Sequence, residues 1–283
     1  MIEAGNQMKK VAIVGLGWLG MPLARALSAR GWAVSGTKTT KDGVQAARNS
    51  GIEAKRLDLD PEIHCDAEDL AELLNADALI ITLPARRTVD TSEQYIRAVE
   101  NIVDMALARH IPRILFTSST SVYGEAIGIC DETTVLDPVT PAGKSLVKLE
   151  QWLHDLPGTS VDILRLAGLV GPGRHPGRFL AGKTGLNHGQ QAVNLVHLDD
   201  VIAAIVLLLE EPSAATTYNL CAPGHPSREA FYTRLTQQAG WQTPRFDGPD
   251  QQERGKQVSG ERICQQRNFR YQWPDPYEMP FVS

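Results

Sequence analysis

Short apolar runs alternate with amphipathic stretches along most of this chain. Lys10–Val14 is a compact apolar run that predicts a strand, and Met21–Arg30 carries helical periodicity up to Gly31. The same alternation predicts strands over Ala33–Gly36, Glu53–Leu57, Ala78–Leu83, Arg113–Ser118 and Val161–Leu166. Helices are predicted between them, over Lys41–Asn49, Ala67–Leu74, Ser92–Arg109 and Pro141–His154. Nearly continuous apolar strands separated by helices indicate a parallel sheet covered on both faces. The expected fold class is α/β, a doubly wound parallel sheet.

The texture changes after Leu166. Residues 168–189 are rich in Gly, Pro, Arg and His without clear periodicity, and long irregular loops in compact proteins are usually functional. A strand over Asn194–His197, a helix over Asp199–Glu211, a strand over Thr217–Leu220 and a helix over Ser227–Ala239 follow. The tail from Gly240 holds five prolines and predicts little regular structure. We therefore expect a dinucleotide-binding domain over 8–167, completed by 193–220, and a small C-terminal substrate lobe built from 168–192 and 221–283.

Composition narrows the class. With 283 residues, 42% of them hydrophobic, the chain can bury a large core. A net charge of −5 argues against general attraction to nucleic acid or to a membrane surface. Cys65, Cys130, Cys221 and Cys264 are scattered without CxxC spacing and read as reduced thiols of a cytoplasmic protein, not as metal ligands. No apolar run reaches the length of a membrane span. Residues 1–7 lack a signal-peptide layout and read as a leader before Met8.

Gly15, Gly17 and Gly20 form a GxGxxG at the junction of the first strand and its helix. In that place the first glycine permits a tight turn, the second lets backbone approach a pyrophosphate, and the third lets helix and strand pack closely. The helix N-terminus adds free N–H donors and partial positive charge. Trp18 and Leu19 between the glycines belong to the same cofactor set.

The second strand runs into Thr37-Lys38-Thr39-Thr40-Lys41. An NAD-selective site usually places a carboxylate here, on the ribose 2′-OH. This chain has none before Asp42. Thr37, Lys38, Thr39 and Lys41 suit the 2′-phosphate of NADP instead, and we expect NADPH to be preferred over NADH.

The fourth strand leads into Leu83-Pro84 and then Arg86-Arg87. Strands one and four flank the switch point of a doubly wound sheet, where ligands collect. Leu83, Pro84 and Ser118 are thus candidate cofactor contacts. Arg86 and Arg87, with Arg174 and Arg178 from the loop after the sixth strand, are candidate ligands of an anionic substrate. His175 is either a proton shuttle or a solvated loop residue. His197, Asp199 and Asp200 are read as structural, one acid capping the next helix.

These motifs together resemble the extended short-chain dehydrogenase/reductase superfamily, its epimerase/dehydratase group. The resemblance runs through the glycine turn, Asp58, Ser118-Ser119, Val122-Tyr123-Gly124, Gly171-Pro172-Gly173 and Val196-His197-Leu198-Asp199. It implies a Rossmann-type sheet, a nicotinamide cofactor, contact of Asp58 with the adenine amino group, and Ser119 as the active-site hydroxyl. Asp58 reads equally as a helix cap. The family's Tyr and Lys fall on Ala142 and Leu146, so the resemblance is to an atypical member. Lys144 and Lys148 lie on another helix face and replace neither. Tyr123 is the remaining candidate proton donor, or else a packed core tyrosine. The leading expectation is an oxidoreductase or epimerase-like enzyme acting on an anionic small molecule, as monomer or homodimer. The alternative is a redox sensor or regulatory module that binds NADP without turnover.

Overall fold

The structure is a computed structural model that describes residues 9–85, 88–248 and 254–281. Residues 1–8, with the proposed leader, and the Arg86-Arg87 pair lie outside the described residues.

The first half alternates as the apolar pattern requires. It runs β1 (Lys10–Val14), α1 (Gly20–Ser28), β2 (Ala33–Lys38), α2 (Lys41–Asn49) and β3 (Glu53–Arg56). A small antiparallel pair follows, β4 (Asp58–Leu59) with β5 (Ile63–His64), then α3 (Ala67–Leu73) and β6 (Ala78–Ile81). Next come α4 (Val89–Ala108), β7 (Arg113–Ser119), β8 (Gly128–Cys130), α5 (Pro141–His154) and β9 (Ser160–Leu166). The remainder holds β10 (Gly168–Val170), β11 (Leu195–His197), α6 (Leu198–Glu210) and β12 (Thr217–Leu220). It ends with α7 (Arg228–Gln238), β13 (Lys256–Val258) and α8 (Glu261–Arg267).

The central sheet has seven strands in the order β12-β9-β7-β6-β1-β2-β3. Its pairings of β1 with β2 and β6, β2 with β3, and β6 with β7 are parallel. Every residue of β6 is buried, as is Val11–Val14 of β1. That explains why both read as plain apolar runs: helices cover the sheet on both faces. The order reverses beside β1, which creates the switch point.

Residues 9–118, 140–164 and 205–216 form one compact unit, and 119–139, 165–204 and 217–281 form another. The second unit carries the β10–β11 and β8–β13 parallel pairs. Its core gathers Val170, Val193, Leu195, Ala222, Phe231, Leu235, Met279 and Phe281.

Two stretches expected to be irregular contain regular structure. Residues 168–189 include β10 and a 3₁₀ turn at Pro176–Phe179, and the tail includes β13 and α8. Three-residue strands are too short to show a period, and their pairing partners lie far away in sequence. β13, for example, pairs with β8 from Lys256↔Gly128 to Val258↔Cys130. Asp199 and Asp200 do not precede their helix as caps but lie within its first turn.

Candidate cofactor-binding site

The glycine turn leaves β1 at Val14. Gly15 has φ +106°, a conformation that side chains disfavour, and a Cβ there would meet Thr82 Oγ1 at 2.8 Å. A Cβ on Gly20 would run into the Gly15 carbonyl oxygen, so α1 and β1 can approach only with glycine here. A Cβ on Gly17 would meet nothing within 4 Å, and this residue forms the open side of the turn. Leu19, at the N-cap of α1, has no side chain to bond the first-turn N–H groups. That cradle and its donors fit a pyrophosphate.

Two threonines brace the turn. Thr37 Oγ1 accepts the Gly15 N–H at 3.0 Å, and Thr82 Oγ1 donates to the Gly15 carbonyl at 2.7 Å. Thr37 is 4% exposed. Its hydroxyl oxygen therefore holds the turn, a role the sequence did not indicate.

Beyond the turn lies a cavity of about 430 Å³. Gly15, Thr37, Lys38, Thr39, Asp58, Leu83 and Pro84 line it together. Val14, Leu57, Leu59, Tyr95 and Ala98 give it an apolar lining, and Asp60, Thr91 and Gln94 complete it. Tyr95 donates its hydroxyl to the Leu83 carbonyl at 3.2 Å, and burial pushes its pKa up. This wall was missed in the sequence because Tyr95 and Ala98 look like ordinary buried positions of a long helix. Asp58 lies on the pocket wall and caps no helix; Asp66 caps α3, accepting from the Glu68 and Asp69 N–H groups.

The rim by the end of β2 is basic. Lys38 runs its stem along the first turn of α2, where a Cβ on Gly43 would lie 3.4 Å from its Cβ and Cδ. Thr40 Oγ1 caps that helix at Gly43 N, and Lys41 is its exposed first residue. Across the sheet, Arg56 is the register partner of Lys38, and its Nε donates to the Thr39 carbonyl at 3.2 Å. Ser118 is not on this surface. It is buried and donates to Glu150 at 2.5 Å, so its role is to satisfy a buried carboxylate.

The remaining candidates lie in the second unit. Ser119 Oγ accepts the Ser121 N–H at 3.1 Å and caps the 3₁₀ turn Thr120–Tyr123. Tyr123 is fully buried. Its hydroxyl donates to Asn219 Oδ1 at 2.7 Å and accepts from Arg165 Nη1 at 2.9 Å, while Arg165 lies over its ring. Burial raises its pKa, with Arg165 and the hydrogen bonds opposing that shift. This is the packed tyrosine of the two readings, and the geometry corrects its placement as a proton donor to a ligand. Lys256 secures the same turn, donating to the Thr120 and Gly124 carbonyls at 3.3 and 2.8 Å.

His175 is packed edge-on against Trp241 and Phe281, and its Nδ1 accepts the Gly177 N–H at 3.1 Å. Burial and then Arg178 lower its pKa, and its packing between the two rings sets aside the solvated reading. Arg174 and Arg178 are both exposed, and Arg178 stacks 5.6 Å from the Trp241 ring centre. Asp200 accepts the Gln272 and Trp273 N–H groups, Asp199 accepts Trp273 Nε1, and His197 bonds the Pro280 carbonyl. All three tie down the tail.

Residues 11–221, which include the glycine cradle and the cavity residues, match the family model of the NAD dependent epimerase/dehydratase family. The chain belongs to that family. It is 60% identical over 273 residues to protein YeeZ of Escherichia coli K12, covering 96% of this chain and 99% of YeeZ. Among solved structures, a functionally unknown conserved protein of Silicibacter pomeroyi superposes with a TM-score of 0.76 at 24% identity, over 95% of each chain. A short-chain dehydrogenase/reductase superfamily protein of Agrobacterium tumefaciens with bound NAD gives 0.74 at 19% identity, over 93% of each chain. Among the described residues, no helix is long and apolar enough to cross a membrane.

Proposed function

We propose that this chain binds NADP(H) in preference to NADH and uses it in an oxidoreductase or epimerase-like reaction on an anionic small molecule. The observation that carries the cofactor reading is the rim at the end of β2. Lys38 and Thr39 line the cavity there, with Lys41 and Arg56 beside them. The carboxylates of the cavity, Asp58 and Asp60, belong to β4 and the turn after it, not to the β2 end that meets a ribose 2′-OH. Gly15, Gly17 and Gly20 would hold the pyrophosphate, Asp58 the adenine, and Leu83 and Pro84 the far wall. The dinucleotide, when bound, supplies hydride transfer.

A second reading, binding without turnover, draws on α5 and on the turn that holds Tyr123. Ala142 and Leu146 stand where the family's Tyr and Lys are proposed to fall, and Tyr123 is sealed in its own network. Positioned acid–base catalysis contributes roughly 10²–10⁴-fold, so a chain without it would be a poor carbonyl reductase.

Calorimetric titration with NADPH and NADH tests the cofactor reading. A charge-assisted hydrogen bond to the 2′-phosphate predicts NADPH tighter by about 10- to 100-fold. Equal affinities, or tighter NADH, refute it. Oxidation of NADPH against a panel of aldehydes, ketones and sugar nucleotides separates the two readings: turnover supports the enzyme, and tight binding without turnover supports the sensor.

A further inference from the structure

The basic rim has one member whose geometry differs from the rest. Lys38 and Lys41 carry compact charges on flexible stems, and Lys41 is exposed. Arg56 is exposed too, but its guanidinium is pinned by the Nε bond to the Thr39 carbonyl at 3.2 Å. Thr39 in turn lines the cavity and directly precedes Thr40, the cap of α2. With Nε engaged, the Nη1 and Nη2 edge is the fork left for a ligand. Such a planar pair of donors matches two oxygens of a phosphate, which an ammonium cannot do.

We propose that Arg56 is the specificity-determining residue of the cofactor site, binding the 2′-phosphate of NADP(H) through its Nη fork, while Lys38 and Lys41 supply general attraction. This deepens the NADP(H) reading above and rests on it. Three features make the fork selective. The register Lys38↔Arg56 brings β3 to the end of β2, where a 2′-substituent of the ribose emerges. The Thr39 bond orders the side chain before a ligand arrives, so less rotamer freedom is lost on binding. An arginine head carries donors and no acceptor, so the edge it turns to a ligand suits phosphate oxygens.

The test is isothermal titration of the full chain with NADPH, NADH, adenosine 2′,5′-bisphosphate and adenosine 5′-monophosphate. Wild type is compared with Arg56→Ala, Arg56→Lys and Lys38→Ala. The expected result is a loss of about 10- to 100-fold in NADPH and bisphosphate affinity for Arg56→Ala. NADH and monophosphate affinities stay within about twofold. Arg56→Lys keeps the charge but loses the fork, so it recovers less than half of the logarithmic loss. Lys38→Ala costs only a few-fold. Arg56 is exposed, and its side chain bonds a backbone carbonyl among the described residues, so the variants fold; equal melting temperatures check this. A wild type that prefers NADPH, with that preference intact in Arg56→Ala, overturns the role of Arg56 and leaves the cofactor reading standing. Full recovery in Arg56→Lys overturns the fork. A wild type without NADPH preference overturns both.

Discussion

Replacing Tyr123 by Phe separates a structural hydroxyl from a chemical one. The hydroxyl makes two bonds, to Asn219 Oδ1 at 2.7 Å and from Arg165 Nη1 at 2.9 Å, and neither Tyr123 nor Asn219 is exposed at all. Phenylalanine keeps the ring, its packing and the Arg165 stack 5.2 Å from the ring centre. What is lost is the donor to a buried amide oxygen and an acceptor for a guanidinium. Leaving a buried polar group without its partner costs about 1–3 kcal/mol, and we take about 2 kcal/mol. At about 2.1 cal/mol/K per residue, a chain of this length has an unfolding entropy of about 0.6 kcal/mol/K. The melting temperature should therefore fall by about 3 °C. NADPH affinity, read by calorimetry on the same samples, should not change. A double-mutant cycle with Asn219→Ala should return a coupling of about 1 kcal/mol, since the two side chains share one bond. An unchanged melting temperature together with lost turnover or weakened cofactor binding would refute the argument, because the hydroxyl would then act in a cleft.

Two other substitutions test the site and the second unit. Thr37→Val keeps the shape of a buried side chain but removes the acceptor of the Gly15 N–H, so the glycine turn loosens. NADPH and NADH should both bind about 5- to 30-fold more weakly, with their ratio unchanged in titration, since the loss falls on the pyrophosphate cradle. Glu132 is buried, accepts the Asn219 N–H at 2.7 Å and pairs with Arg262 Nε at 3.4 Å. Burial raises its pKa above the ordinary 4.5. Between 4.5 and the raised value the folded state binds more protons than the unfolded state, so stability falls as pH rises through that window. Denaturant unfolding across the window should show this slope in wild type and lose it in Glu132→Gln.

The legible part of this protein is the part built from local pattern. β1, α2, α5 and β12 end where their apolar periodicity and caps end, because each is long enough to show a period or is bounded by Gly, Thr or Pro. The glycine turn was equally legible, since its spacing encodes a backbone requirement rather than a distant contact. Residues whose meaning depends on a partner far away in sequence were not. Arg56 looks like a solvated strand end until the register sets it beside Lys38 and Thr39. Thr37 shows its part in the glycine turn only once the Gly15 N–H is seen to bond it. Lys256 lies in a proline-rich tail, yet it holds the Thr120–Gly124 turn across more than 130 residues.

The same distinction bears on the helix that opens at Pro141. Its sequence suggests a frame from which two functional side chains have been removed and to which they could be returned. Its packing argues otherwise for one of them. Leu146 is 3% exposed and sits with Leu149 and Leu153 among the buried residues of α5, whereas Lys144 and Lys148 are exposed. A lysine at 146 would have to bury its charge, which is strongly disfavoured unless it is paired, and the buried carboxylate on the same helix is Glu150, four residues on and already bonded by Ser118. Ala142 is less enclosed and offers no such resistance. Leu146 is part of the buried face of α5. An ancestral or engineered Tyr–Lys pair would require the surroundings of residue 146 to change with it.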